Sequence, residues 1–296
     1  MKKILLIGGC GYIGSALRFH LKKLNFDVHT VDLEYFGNFN NSDNLSNFKT
    51  DYDLLSPKYL DSFDVVVLTA ANSSVQLCSD LYDTFNNNVI KFVNLMKKLN
   101  KQKFIYASSS CVYVASGDEE KNENSSLNPM DGLTLTKTTI DHFAALSDVE
   151  FYGLRFGSVN GWSPNTRLDL MINSMTFSAM KTNQVNVFNG QVYRPILSIN
   201  DLCRGIEAII CSDEDKRGIY NLASFNENVT NIGKKVAELT NSEFVDKGKT
   251  FTYDFKISSN KFIETFNFKF EDGIENIVNS LLVNPTNNKW AKRENF

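Results

Sequence analysis

The 296-residue sequence predicts an α/β fold, a doubly wound parallel sheet carrying helices on both faces, followed by a smaller C-terminal α/β unit. Three observations predict it. Residues 1–7 form a short apolar run that breaks into Gly8-Gly9-Cys10-Gly11-Tyr12-Ile13-Gly14, after which Ile13, Leu17, Leu21 and Leu24 recur at helical spacing. A second apolar run, 28–31, ends in Asp32. Residues 64–68 form a third, continuous after its leading acid, as strands buried on both faces of a parallel sheet are.

Strand, glycine turn, helix, strand and acid in that order make a Rossmann-type dinucleotide site. Gly8, Gly11 and Gly14 allow a tight turn, a close backbone approach to a pyrophosphate and close packing of helix on strand. Tyr12 and Ile13 open the helix, whose free N–H groups and positive dipole end suit the phosphates. Asp32, 18 residues after Gly14, is placed to accept hydrogen bonds from the ribose hydroxyls and to repel a 2′-phosphate. The expected cofactor is therefore NAD rather than NADP.

The segment 34–47 is polar and broken by Gly37 and several asparagines, and it reads as a loop over the adenosine end. Residues 48–51 read as a short strand. The run 64–68 ends at Thr69-Ala70-Ala71, small residues that let a cofactor lie against the strand end. Over 86–99, Val89, Phe92, Val93, Met96 and Leu99 follow helical spacing and serve a core or a dimer face. Residues 104–107 form the fourth strand and run into Ser108-Ser109-Ser110-Cys111.

The chain is long enough to bury roughly 75% of its unfolded surface without covalent staples. Its five cysteines include no C-x-x-C pair and no histidine at ligand spacing, so neither disulfides nor a metal is expected, and the setting is a reduced cytoplasm. Lys2 and Lys3 before an apolar run imitate a secretion signal, but the run is too short and glycine ends it. A net charge of −3 without long blocks offers no footprint for nucleic acid or an anionic membrane, which leaves a small molecule as the partner.

The order GGxGYIG, Asp32, Thr69-Ala70-Ala71, Asn88-Val89, Tyr106-Ala107-Ser108-Ser109-Ser110 and Val112-Tyr113 resembles the extended short-chain dehydrogenase/reductases, specifically the NAD-dependent nucleotide-sugar epimerase/dehydratase family. Leu154-Arg155-Phe156 resembles that family's fifth-strand end. The stretch from Tyr193 through Arg194 to Leu202 resembles its RDYIHVxDL segment, and Ile219-Tyr220-Asn221-Leu222 its following strand. The stretch from Ser163 through Arg167 to Leu170 is similar to an SPRxRxDL sequence of a narrower group that includes GDP-manno-heptose carbon-4 dehydrogenases of capsule biosynthesis.

The resemblance implies a serine or threonine, a tyrosine and a lysine as the catalytic set. The tyrosinate takes a proton from a sugar hydroxyl, and the lysine holds the nicotinamide ribose and lowers the tyrosine pKa. Ser109 matches the serine and Lys137 the lysine. The tyrosine belongs four residues before the lysine, where this chain has Leu133, and neither Tyr106 nor Tyr113 has the spacing to replace it. Three readings of this departure stay open. Another group, such as Cys111, Lys137 or a water held by Ser109, moves the proton; or the protein binds NAD and a nucleotide sugar but turns over poorly, as a partner or regulator; or Ser109 merely caps a strand and Lys137 is a surface lysine.

Usual 4,6-dehydratases of the family carry Asp-Glu after the catalytic threonine, whereas this chain has Ser110-Cys111, so redox or epimerisation at a ring carbon fits better than elimination of water. The resemblance also assigns Asp51-Tyr52 to the adenine, Thr69, Ala70, Ala71 and Asn88 to the cofactor, and Ser158, Arg167 and Arg194 to the substrate's diphosphate. A solvated loop acid competes for Asp51, and surface ion pairs compete for the two arginines. The implied partner is a nucleotide-diphosphate sugar, with GDP suggested by the 163–170 stretch. The expected architecture is a cofactor domain over 1–160 and a mainly substrate-binding domain over 161–296 that crosses back at least once, dimerising through 86–99 and 133–146.

Overall fold

The computed structural model describes residues 2–39, 47–74, 77–113, 119–250 and 252–284. Part of the expected 34–47 loop lies outside them. Strand β1 (Lys3–Ile7) passes through the glycine turn into helix α1 (Tyr12–Lys23), followed by β2 (Asp27–Val31), β3 (Asn47–Phe48), the short helix α2 (Pro57–Leu60) and β4 (Val65–Leu68). β1, β2 and β3 pair in parallel in that order, and β4 pairs with the opposite side of β1. The winding therefore reverses between β1 and β4, the place where open sheets of this kind bind ligands.

Alternation along each strand decides which face a residue covers. Ile4, Leu6, Val65 and Val67 share one buried cluster with Leu17 and Leu21 of α1, while Leu5, Ile7, Val66 and Leu68 enter another. Burial of both faces is what makes these strands unbroken apolar runs. The strand expected over 48–51 shrinks to Asn47–Phe48. Asp51 turns the chain instead, its carboxylate accepting the Asp53 N–H and capping a 3₁₀ turn over Tyr52–Leu54.

Helix α3 (Leu81–Phe85) starts where the Asp80 carboxylate accepts the Asp83 N–H. It runs through a π turn (Asn86–Ile90) into α4 (Lys91–Lys98), so the helix expected over 86–99 begins earlier and is widened in its middle. Next come β5 (Lys103–Ser109), the two-residue β6 (Glu120–Lys121), α5 (Gly132–Ala145) and β7 (Phe151–Phe156). Phe104 and Tyr106 of β5 pack with Phe92 of α4 and with Ile140 and Ala144 of α5, closing the second face.

The remaining elements are β8 (Ser158–Asn160), α6 (Met171–Thr182), β9 (Gln184–Val187), β10 (Tyr193–Ser198), α7 (Ile199–Cys211), β11 (Gly218–Leu222), β12 (Phe225–Asn228), α8 (Val229–Thr240), β13 (Glu243–Asp246), β14 (Lys256–Ile257), α9 (Asn260–Phe266) and α10 (Ile274–Val283). β11 pairs in parallel with β7 and completes a seven-stranded sheet in the order β11-β7-β5-β4-β1-β2-β3. Leu202, Ile206 and Ile209 of α7 share the cluster of α1, so residues well beyond 161 help build the main sheet layer. A separate cluster joins α6, α8 and α10 around β9 through Ile172, Val185, Ile232 and Val278.

Candidate active site

The glycine turn closes on itself with no room to spare. A Cβ on Gly14 would stand 2.0 Å from the carbonyl oxygen of Gly8, and one on Gly8, whose φ is +88°, would meet the amide nitrogen of Ala70 at 2.5 Å. Gly8 is thus fixed both by its left-handed backbone and by Thr69-Ala70 at the end of β4. Thr69 donates its hydroxyl to the Ile7 carbonyl at 3.1 Å. Helix α1 has no side-chain cap at Gly11 and no acid in its first turn, which leaves its leading N–H groups for an anion. The turn fits a pyrophosphate.

A second segment, 161–167, holds this turn directly. Asn165 donates to the Cys10 carbonyl at 2.6 Å, Ser163 donates to the Tyr12 carbonyl at 2.7 Å, and the Tyr12 hydroxyl donates to the Gly161 carbonyl at 2.8 Å. The Tyr12 side chain is therefore a strut between the turn and the 161–167 segment. Nothing in the sequence alone pairs 161–167 with the turn.

Asp32 flanks the turn, its carboxylate accepting the Cys10 N–H at 3.0 Å and the Glu34 N–H at 2.6 Å. Burial raises its pKa above the ordinary carboxylate value, and the two N–H bonds oppose that rise. Glu34, which sequence reasoning left as the start of a loop, adds a second carboxylate held by Asn38 and Asn47. Asp51 is not a solvated loop acid, because it pairs with Lys91 at 2.5 Å, and the buried Tyr52 donates to the Asn87 carbonyl at 3.1 Å.

Lys137 sits on α5 with 6% of its surface exposed and donates to the carbonyl of Ala107, near the end of β5, at 2.6 Å. Burial lowers its pKa to about 8, against the attraction of Asp141 one turn further along α5. Asn88, buried in the π turn, accepts from the Asn72 N–H and donates to the Asn72 carbonyl and the Thr136 hydroxyl. Its amide ties the end of β4 to α5. Ser109 accepts the Cys111 N–H at 3.2 Å, and burial pushes the Cys111 thiol up, so Cys111 does not stand there as a ready thiolate. Leu133, in the first turn of α5, is half-buried.

Arg194, from β10, lines a cavity of about 370 Å³ together with Asp169, Met175, Phe188, Val192 and Thr252. That size suits a nucleoside-sized ligand. Arg194 also donates to the Tyr253 carbonyl at 3.0 Å. Arg167 forms a two-pronged pair with Asp169 at 3.1 and 2.5 Å and reaches Ser73 at 3.4 Å, the ion-pair arrangement that competed with its ligand role. Ser158 accepts from the Asn160 amide through its carbonyl and hydroxyl oxygens. Sequence reasoning missed Asp131 and Tyr253, whose side chains meet at 2.6 Å beside the first turn of α5. The spacing Asp131-x-x-Thr134 is a helix-start signal that marks the first of them.

The model of the NAD dependent epimerase/dehydratase family matches residues 4–223. By sequence, a candidate UDP-glucose 4-epimerase of Methanocaldococcus jannaschii is 26% identical over 243 residues, covering 77% of this chain and 79% of that protein. By structure, the UDP-glucose 4-epimerase of Thermus thermophilus, solved with NAD, superposes with a TM-score of 0.81 at 18% identity, over 95% of this chain and 99% of the other. The UDP-glucuronic acid 4-epimerase of Bacillus cereus, solved with UDP-glucuronic acid and NAD, gives a TM-score of 0.81 at 17% identity over 99% of each chain. Both structural likenesses are likenesses of fold.

Proposed function

We propose, given that the chain belongs to the NAD-dependent epimerase/dehydratase family, that it binds NAD and acts as an oxidoreductase or epimerase on a ring carbon of a nucleotide-diphosphate sugar. The observation that carries this reading is the glycine turn, where Gly14 has no space for a methyl against Gly8 and α1 opens uncapped. The paired carboxylates of Asp32 and Glu34 favour a free 2′-hydroxyl over a 2′-phosphate. Bound NAD supplies the hydride acceptor and donor.

The chain's own residues do the rest. Lys137, largely protonated at neutral pH with a pKa of about 8, holds the nicotinamide ribose. Ser109 hydrogen-bonds the reacting sugar oxygen, and Arg194 takes the diphosphate at the mouth of the cavity that receives the nucleoside. Ser110 and Cys111 supply no carboxylic acid for elimination, which favours redox or epimerisation over dehydration. The relatives named above are named for UDP sugars, whereas the 163–170 stretch favours GDP and surface-polysaccharide synthesis. A dimer and a cytoplasmic setting belong to this reading as well.

Leu133 favours a second reading, a protein that binds NAD and a nucleotide sugar with little turnover and acts as a partner or regulator. One experiment separates them. UDP, GDP and dTDP sugars are screened for binding by calorimetry, and the best binder is then mixed with protein and NAD while the reduced nicotinamide absorbance and the product sugar are followed. Turnover supports the enzyme, and binding without turnover supports the second reading. Equal affinity for NAD and NADP contradicts the cofactor assignment.

A further inference from the structure

Position 133 lacks a phenol, yet a phenol stands beside the same turn of α5. Tyr253 lies in the extended segment before β14, anchored on both sides. Its carbonyl accepts from Arg194 at 3.0 Å, the Asp254 carboxylate accepts the Tyr193 N–H at 2.8 Å, and Phe255 is buried with Val112, Tyr113 and Ile257. These contacts aim the ring back at the N-terminus of α5. There the Tyr253 hydroxyl donates to Asp131 Oδ2 at 2.6 Å, while Asp131 Oδ1 accepts the Thr134 N–H at 2.8 Å and caps the helix. The two carboxylate oxygens thus have separate jobs. The Arg194 guanidinium lies 5.9 Å from the centre of the Tyr253 ring. Cys111, two residues beyond Ser109, packs in the same cluster.

We propose that Tyr253, oriented by Asp131, is the proton-transfer residue of this site and supplies from the segment before β14 the hydroxyl that Leu133 cannot. The inference rests on the nucleotide-sugar reading above. In the oxidising direction the sugar O–H bond breaks and its proton forms a new O–H bond on Tyr253. Tyr253's own proton passes to Asp131 Oδ2, and the electron pair of the sugar C–H bond leaves with the hydride to NAD. In the reducing direction each transfer runs backwards. The charges fix where the relay rests. Burial and then the neighbouring carboxylate hold the Tyr253 phenol well above its usual value. Asp131, despite a burial that pushes it up, is kept below the usual carboxylate range by the Thr134 N–H and Tyr253. At neutral pH the proton therefore rests on the phenol and the negative charge on Asp131. The other groups facing the ring, Arg194 from β10 and Cys111 from the turn after β5, oppose one another in effect. The alternatives are weaker, since the half-buried Cys111 thiol is pushed up by desolvation and Lys137 is bonded to Ala107.

The test compares wild type, Tyr253→Phe, Asp131→Asn and the double variant Leu133→Tyr/Tyr253→Phe. Asparagine caps a helix as well as aspartate does, so Asp131→Asn keeps the helix start and removes the proton acceptor. Tyr253→Phe is expected to keep the wild-type thermal midpoint and, by calorimetry without NAD, to bind the best nucleotide sugar within about threefold, while kcat falls about 10²- to 10⁴-fold at unchanged KM. Asp131→Asn is expected to lower kcat at least about tenfold and to bring the Tyr253 titration, read as a tyrosinate difference spectrum against Tyr253→Phe in cofactor-free protein, down towards the ordinary phenol range. The double variant is expected to regain rate over Tyr253→Phe. A Tyr253→Phe kcat within about threefold of wild type overturns the assignment and leaves the nucleotide-sugar reading standing. A wild type that binds both ligands but transfers no hydride overturns it too, and one that binds neither overturns both.

Discussion

Replacing Lys137 with methionine should change how the stability of the protein depends on pH, by an amount set by where the lysine lies. The residue is 6% exposed, its ammonium donates to Ala107, and burial brings its pKa from 10.5 to about 8. The unfolded chain binds that proton more tightly, so between about pH 8 and 10.5 unfolding takes up a proton and the folded state gains stability as pH rises. The full gap is worth about 3 kcal/mol at about 1.36 kcal/mol per pH unit, and about 2 kcal/mol of it is realised by about pH 9.5. Cysteines and tyrosines titrate in the same range, but they are common to both proteins and cancel in the difference. Urea denaturation of wild type and Lys137→Met in parallel, from about pH 7 to 9.5, should show the difference moving towards wild type by about 2 kcal/mol. A difference that does not move would place the Lys137 titration near its ordinary value and refute the burial argument. One that moves the other way would refute its sign.

Gly14→Ala should lower the thermal midpoint and weaken NAD binding at least about tenfold by calorimetry, because the helix-propensity gain of about 1 kcal/mol cannot offset a methyl 2.0 Å from the Gly8 carbonyl oxygen. Asp141→Asn leaves Arg155 buried without its carboxylate, which now sits 2.8 Å away and also accepts from Tyr106, and should destabilise the fold by about 3–5 kcal/mol in urea titrations. Arg194→Ala should weaken nucleotide-diphosphate binding by about 1.5–3 kcal/mol in calorimetry and leave NAD affinity unchanged. An unchanged nucleotide affinity would remove Arg194 from the substrate site.

The parts of the site built from neighbours in sequence were legible in it. Gly8 to Asp32 is one strand-turn-helix-strand unit, so spacing alone located the turn and the acid that flanks it. Helical periodicity likewise put Leu133 one turn before Lys137 on α5. Where a single polar side chain redirects the backbone, pattern failed. Asp51 converts an apparent strand into a 3₁₀ turn, and Asp80 starts a helix before its apolar stripe does. The π turn at Asn86–Ile90 has no composition of its own, and its reason lies in the bonds Asn88 makes to Asn72 and Thr136. Contacts between distant segments left no trace. Asn165 on Cys10 and Tyr253 on Asp131 join residues 155 and 122 positions apart. The element that answers the missing tyrosine was for that reason invisible until the chain was folded.

The most direct measurement is a crystal structure of the protein with NAD and the best-binding nucleotide sugar. The account predicts the pyrophosphate on the leading N–H groups of α1, the adenosine ribose on Asp32 and the nucleoside in the cavity beside Met175 and Phe188. It predicts the reacting sugar hydroxyl within hydrogen-bond reach of Tyr253, about 2.6–3.2 Å. NAD bound away from the glycine turn, or a sugar ring whose hydroxyls all lie beyond the reach of Tyr253, would contradict it.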